Sequence, residues 1–453
     1  MDRERTGILV PTGMLGGGFS PATVERGLTL NPDVIAVDGG STDSGPHYLG
    51  TGTAKTTAAA VARDLKILLK AAAAAHIPLI VGSCGTSGAD DGVDWVAQIT
   101  ESIITNEHLD LNVTKIYSEQ NTAELKEQLN AGRIRPLAPS TDLSVDTLES
   151  CARIVGMMGH EPIAEALQQG ADVVLAGRAT DTAVAAAVPL MRGMPPGPTW
   201  HAAKIVECGG QCTTNPRSGG VFATIDQTGF TIEPLDPNAA CTPISVAAHM
   251  LYETVNPYRM REPAGTIVVT DATYTALDHR RVRVEGSRFE HADQHTIKLE
   301  GARATGYETV SFVGIRDPHV VVQIETWAGL LRTVLIDRVT QTLELAPTDY
   351  AFDIRLYGHN AILEEQDPDH TAAREVGVML IVNAPDQATA TAVAKVANPL
   401  LLHLPLPDMP YLPSFAFATS PAEMERGAAY EFVLNHVVEV DSPTSMFRPV
   451  THA

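Results

Sequence analysis

The chain has 453 residues, enough for two or three domains of about 150 each, and its 44% hydrophobic and 19% charged residues exclude a disordered or fibrous protein. Its 32 Lys and Arg stand against 54 Asp and Glu, a formal charge of −22. Such a surface repels phosphate backbones and anionic lipid, which argues against nucleic acid and membrane partners and leaves a small anion held by local Arg or N–H groups.

No apolar run reaches the roughly 18 residues of a membrane span, and the start Met-Asp-Arg-Glu-Arg is too polar for a signal peptide. Five cysteines make no disulfide framework in a chain of this length, so a reducing cytoplasm is the expected location.

In chain order, short β-branched runs at 8–10, 34–37, 79–81, 113–117, 154–155 and 173–175 read as buried strands. Helical patterns lie between them. One covers 54–75, with Val61, Leu65, Leu68 and Leu69 on a single stripe, and a second covers 93–104. A third covers 161–169, with Pro162 in its first turn and Gly170 as its stop. Strand, loop and helix in alternation predict an α/β domain: a mostly parallel, Rossmann-like open sheet with helices on both faces.

The Pro/Gly-rich stretch at 191–198 predicts a boundary between a parallel domain, 1–192, and an α+β domain of mixed or antiparallel strands, 199–453. Strands are expected there at 266–270, 281–284 and 309–313, with 319–326 and 331–336 continuing the pattern. Segments 350–357 and 376–382 flank a polar acidic loop. A helix at 386–402 precedes a connection through Pro405, Pro407, Pro410 and Pro413. The alternation of Tyr430, Phe432 and Leu434 predicts a half-buried strand over 430–440.

Ligands of parallel α/β sheets lie outside the carboxyl ends of the strands, so the loops there carry the candidate site. The first, Thr12-Gly13-Met14-Leu15-Gly16-Gly17-Gly18, departs from G-x-G-x-x-G, and no tyrosine has a Lys four residues on, which weighs against nicotinamide binding. Gly50-Thr51-Gly52-Thr53-Ala54-Lys55-Thr56 resembles a P-loop but has Ala54 in place of the glycine before Lys55, and it reads as a helix start.

The second loop gathers Asp38, Ser41, Thr42, Asp43 and His47. Asp and His serve as general base and acid, and a hard divalent ion takes carboxylate oxygens from Asp38, Asp43, Asp90 and Asp91 if one binds. The alternative is a turn whose side chains satisfy their own backbone. In the third loop, Ser83, Cys84 and Ser87 precede a helix and offer donors to an anion, while Asp90 and Asp91 also suit its dipole. Cys84 is a nucleophile only if its pKa is lowered.

Arg178 follows a buried strand, so it pairs either with Asp181 or with a substrate carboxylate. His160 is a further acid–base candidate. Cys208 and Cys212 lack zinc-knuckle spacing, and no second Cys pair or His nearby in the sequence completes four ligands, which argues against zinc. The polar turn around them, as far as Asn215, is placed to close over the cleft.

Several of these stretches are similar to the acyclic terpene utilisation AtuA family: Asp38-Gly39-Gly40-Ser41-Thr42-Asp43, Ile154-Val155-Gly156-Met157-Met158-Gly159-His160-Glu161-Pro162, Ala176-Gly177-Arg178-Ala179-Thr180-Asp181 and Ile205-Val206-Glu207-Cys208-Gly209-Gly210-Gln211. Leu251-Tyr252-Glu253 and Tyr430-Glu431-Phe432-Val433-Leu434 also fit, so the resemblance covers most of the chain. It implies catabolism of branched terpenoid acyl-CoA compounds or other carboxylic acids and a separately encoded small companion protein. It carries over no catalytic residue.

The expected function is a cytoplasmic lyase or hydratase acting on a small carboxylic acid or its CoA ester. Arg178 would fix the carboxylate, Asp38, Asp43 or His47 would move the α-proton, and donors at 83–88 would stabilise the enolate. The alternatives are an NAD(P)-dependent oxidoreductase and a non-catalytic or regulatory subunit of a partner enzyme. A homo-oligomer is expected, as for many large acidic α/β enzymes.

Overall fold

The computed structural model describes residues 4–217, 219–363 and 373–452. The chain forms two compact units, residues 1–303 with 432–453 and residues 304–431.

The first unit is built on strands whose residues are apolar on both faces. In β1 (Arg5–Val10) and β2 (Val34–Asp38), Ile8, Val10, Val34 and Ala36 join one core cluster while Leu9, Ile35 and Val37 join another. Such strands need cover on both sides. Helices Pro21–Leu28, Ala58–Ala75 and Asp90–Glu107 supply it on one face, and Asp181–Met191 with Pro196–Val206 on the other.

The parallel part of the sheet runs β1, β2, β3 (Leu79–Gly82), strand Val173–Ala176 and β4 (Val113–Tyr117). The full sheet has ten strands and is mixed rather than mostly parallel. Val221–Asp226 pairs antiparallel with β1, Gly229–Pro234, Val282–Glu285 and Thr273–Ala276 extend that edge, and Arg448–His452 closes the other against β4.

The strand order also differs from a doubly wound sheet. Antiparallel Val221–Asp226 occupies the far side of β1, where a second parallel half would start. The strand expected at 154–155 is Cys151–Met157, which lies in another sheet, antiparallel to residues of Thr296–Ile315.

The Pro/Gly stretch at 191–198 is a tight turn between two helices that share one core. Val184, Ala187, Trp200 and Ala203 are all buried there, so the compact units divide at residues 303 and 431 instead.

In the second unit, Val376–Ala384 pairs antiparallel with Ala351–Tyr357 and with residues of Thr296–Ile315. The strands expected at 319–326 and 331–336 are helical, Pro318–Val322 and Ile324–Leu343. Asp317 caps the first helix through the N–H groups of His319 and Val320, with Pro318 in its opening turn. Ile324, Trp327, Leu331, Leu335 and Val339 are buried at helical spacing, which overrides the Val-rich start. Much of the acidic loop between 357 and 376 lies outside the described residues. Among the described residues, no helix is long and apolar enough to cross a membrane.

Candidate functional site

Three turns at the carboxyl ends of the parallel strands meet backbone to backbone. Gly39 N–H donates to the Gly82 carbonyl at 2.7 Å. At Gly40, φ is +144° and a Cβ would lie 2.5 Å from Thr86 Cα. At Gly88, φ is +68° and a Cβ would lie 2.1 Å from the Arg178 nitrogen. Only glycine fits either position, and so the turns near residues 40, 85 and 180 form one surface.

Against that surface lies a cleft of about 590 Å³. Its wall includes the first glycine loop, the Asp38–Ser44 turn, Asp181 and the Cys208–Gln211 turn. Tyr252 and Glu253 also line it, as do two cations, Lys55 and Arg217. Ser41 shapes its turn by accepting the Asp43 N–H on Oγ. In the glycine loop, the N–H groups of Gly16 and Gly18 donate to Asp64 at 2.8 and 3.1 Å, so they are engaged within the fold.

Beneath the cleft is a buried charge network. Arg178 is 4% exposed. Its Nε donates to Glu300 at 2.9 Å, and its Nη1 donates to Ser83 Oγ at 3.1 Å, the Ala179 carbonyl at 2.9 Å and Asp181 at 3.3 Å. The carboxylate predicted to come from a substrate is thus supplied by Glu300, and Arg178 does not line the cleft. Burial works to raise the Glu300 pKa, but Arg178 and Lys298 outweigh it and hold the group at about 2. Thr42 also faces inward, its Oγ1 donating to Glu300 at 3.0 Å.

The remaining carboxylates outnumber the cations that could neutralise them. Burial, reinforced by the charge of Asp181, lifts Asp38 well above the carboxylate range despite Arg178. Its Oδ1 is sealed from solvent without a hydrogen-bond partner among the described residues, although the residue reaches the cleft wall. Burial raises Asp181 as well. Glu262 is pushed up to about 7 by burial; its Oε1 accepts Thr182 Oγ1 at 2.7 Å and its Oε2 has no partner in hydrogen-bond geometry among the described residues. Glu207 is pushed up to about 8 by burial even with Lys204 bonded to it. Glu207 and Glu262 therefore keep protons at a pH where ordinary carboxyls have lost them.

The other predicted residues are dispersed. Asp43 lines the cleft, whereas His47 lies on helix Pro46–Thr51, edge-on to Tyr48 and outside the lining. His160 packs edge-on against Trp200, where burial and the nearby His295 hold it at about 4. Cys84 is fully buried, its thiol donates to the Val81 carbonyl, and burial pushes its pKa up, the reverse of nucleophile activation. Ser87 Oγ donates to the Tyr48 carbonyl at 3.2 Å.

Asp90 and Asp91 form ion pairs with Arg448 and Arg153. Of the four carboxylates considered for a hard ion, only Asp38 and Asp43 therefore share the cleft. Asn215 is exposed on the turn that carries Arg217.

Sequence reasoning missed Lys204, Arg217, Glu262 and Glu300. Lys204 and Glu207 had a signal, two charges three residues apart in the otherwise apolar helix Pro196–Val206 and its cap. Glu262 and Glu300 had none, because their partners come from distant strands and helices.

The fold and cleft define a mixed α/β protein with an acidic, proton-retaining pocket at the strand ends. The chain belongs to the acyclic terpene utilisation family, AtuA, whose family profile matches residues 53–407. The family is named for a catabolic process. No curated protein and no solved structure matches the chain.

Proposed function

We propose that this protein is an enzyme of carboxylic-acid or acyl-CoA catabolism that moves the proton alpha to a carboxylate or thioester carbonyl, as a lyase or hydratase does. The observation that carries the reading is Asp38. It is a cleft-wall carboxyl with an unpartnered buried oxygen, raised in pKa and set beside Asp181. A carboxyl lifted toward neutrality is an effective base when ionised and an effective acid when protonated.

In this reading Lys55 and Arg217 hold the anionic end of the substrate, and Ser41 and Asp43 orient it. Arg178 is a positioning residue: through Asp181 and Glu300 it fixes the charge that tunes Asp38.

The test is a thermal-shift screen of small carboxylic acids and their CoA esters, followed by α-proton exchange in D2O read by NMR on the hits. Asp38→Asn is expected to slow exchange by roughly 100-fold or more while the protein melts no lower than wild type. Exchange at the wild-type rate in that variant overturns the assignment. Activity that depends on a partner protein and survives Asp38→Asn favours a non-catalytic subunit.

A further inference from the structure

We propose that Glu207, Cys208 and His249 form a binding site for a divalent transition-metal ion of the zinc type at the wall of the cleft. One carboxylate oxygen, the Cys208 sulfur and one imidazole nitrogen lie within 4.8 Å of one another. Two ligands on a tetrahedral zinc sit about 3.5 Å apart, given bonds of about 2.0–2.3 Å, so small side-chain rotations close the set.

A second observation points the same way. His249 is 5% exposed, and its Nε2 is buried without a hydrogen-bond partner among the described residues. A buried imidazole nitrogen with neither donor nor acceptor carries a desolvation cost, and a metal bond removes it. The ring is held in place by stacking on Tyr252, centroids 5.6 Å apart and planes 17° from parallel.

The backbone favours a cation here. Glu207 caps the C-terminus of helix Pro196–Val206, Cys208 follows it, and His249 is the last residue of helix Pro243–His249. The negative ends of two helices therefore approach the site. The facing cation is Lys204, which donates to Glu207 Oε1 and stands 5.6 Å from the Tyr252 ring centroid. That contact engages one carboxylate oxygen and leaves Oε2 for an ion. Bound as thiolate and carboxylate, Cys208 and Glu207 would set two negative charges against the ion's two positive ones.

A nitrogen, sulfur and oxygen set suits zinc or cobalt rather than magnesium or calcium. Cys208 lines the cleft, so an ion held by it would be reached from there. The nearby Cys212 is fully buried and bonded to the Gly209 carbonyl, which leaves it outside the set.

Metal binding is read without turnover, so it stands or falls independently of the proposed reaction. The full-length protein is stripped with chelator and titrated with Co²⁺. The expected result is about one cobalt per chain with a thiolate-to-cobalt charge-transfer band, displaced by Zn²⁺. Cys208→Ser loses the band, His249→Gln weakens binding by roughly tenfold or more, and Cys212→Ser retains both. Wild-type protein that takes up no stoichiometric cobalt overturns the proposal, and this arm holds even if a variant fails to fold. A thiolate band that survives in Cys208→Ser overturns it equally.

Discussion

A guanidinium with 4% of its surface exposed keeps its charge only through partners, and Arg178 has Glu300 and Asp181 on either side of it. Replacing Arg178 with Met strands both carboxylates in a low-dielectric interior. Urea denaturation is expected to show a loss of about 3–5 kcal/mol, the usual cost of breaking a buried pair from one side. Arg178→Lys is expected to recover only part of that, because an ammonium cannot serve Glu300, Ser83 and the Ala179 carbonyl at once. If Glu300→Gln is added to Arg178→Met, the loss shrinks, since one of the two stranded charges is gone. An Arg178→Met variant as stable as wild type would mean that the network carries no such charge coupling. Arg178 and Asp38 stood out in the sequence because each lies at or just past the end of a short apolar strand. Their environment did not: Glu300 lies 122 residues beyond Arg178, and no local spacing links the two.

At the scale of elements, short apolar β-branched runs located every strand of the parallel core, because a strand covered on both faces has little freedom in composition. What those runs did not encode was sheet membership. Cys151–Met157 has the same local character yet pairs with a strand far along the chain, and the segments at 319–326 and 331–336 needed cap and stripe, not β-propensity, to be placed. The junction of turns yields a sharp test. A Cβ at Gly88 would fall 2.1 Å from the Arg178 nitrogen, whereas one at Gly132 would meet nothing within 4 Å, and φ is nearly the same at the two sites, +68° and +71°. Gly132→Ala therefore isolates the left-handed strain, about 1–2 kcal/mol. Gly88→Ala adds backbone displacement to that strain and is expected to cost at least about 3 kcal/mol, with the thermal shift by cleft ligands lost. Equal stability of the two variants would mean that the turns are not held in contact.

For the molecule as a whole, the buried titratable groups set two opposing limbs of stability against pH. Glu262, raised by burial from 4.5 to about 7, binds a proton in the folded state that the unfolded chain has released. Its stabilisation is complete below pH 4.5 and is lost as the pH rises through 7. His201 and His160 act in the other direction. Burial lowers them from 6.5 to about 3 and about 4, so the unfolded chain binds protons that the fold refuses, and their contribution is complete above pH 6.5 and lost below it. His201 is kept neutral between Ser287 Oγ, 2.7 Å from Nδ1, and the Tyr274 hydroxyl, 3.1 Å from Nε2. Between pH 4.5 and 6.5 the lowered histidines His160, His201 and His249 oppose the raised carboxyls Asp38, Asp181, Glu207 and Glu262, so the two limbs offset; above that only the raised carboxyls titrate, and stability falls. The melting temperature is therefore expected to vary little from about pH 4.5 to 6.5 and to fall above it. Glu262→Gln mimics the protonated form, keeps a group able to bond Thr182, and should make the alkaline limb shallower, with Glu207 and Asp38 keeping the rest, while leaving the acid limb in place. An alkaline slope unchanged in that variant would show that Glu262 is already ionised in the fold, and that its unpartnered Oε2 carries no proton.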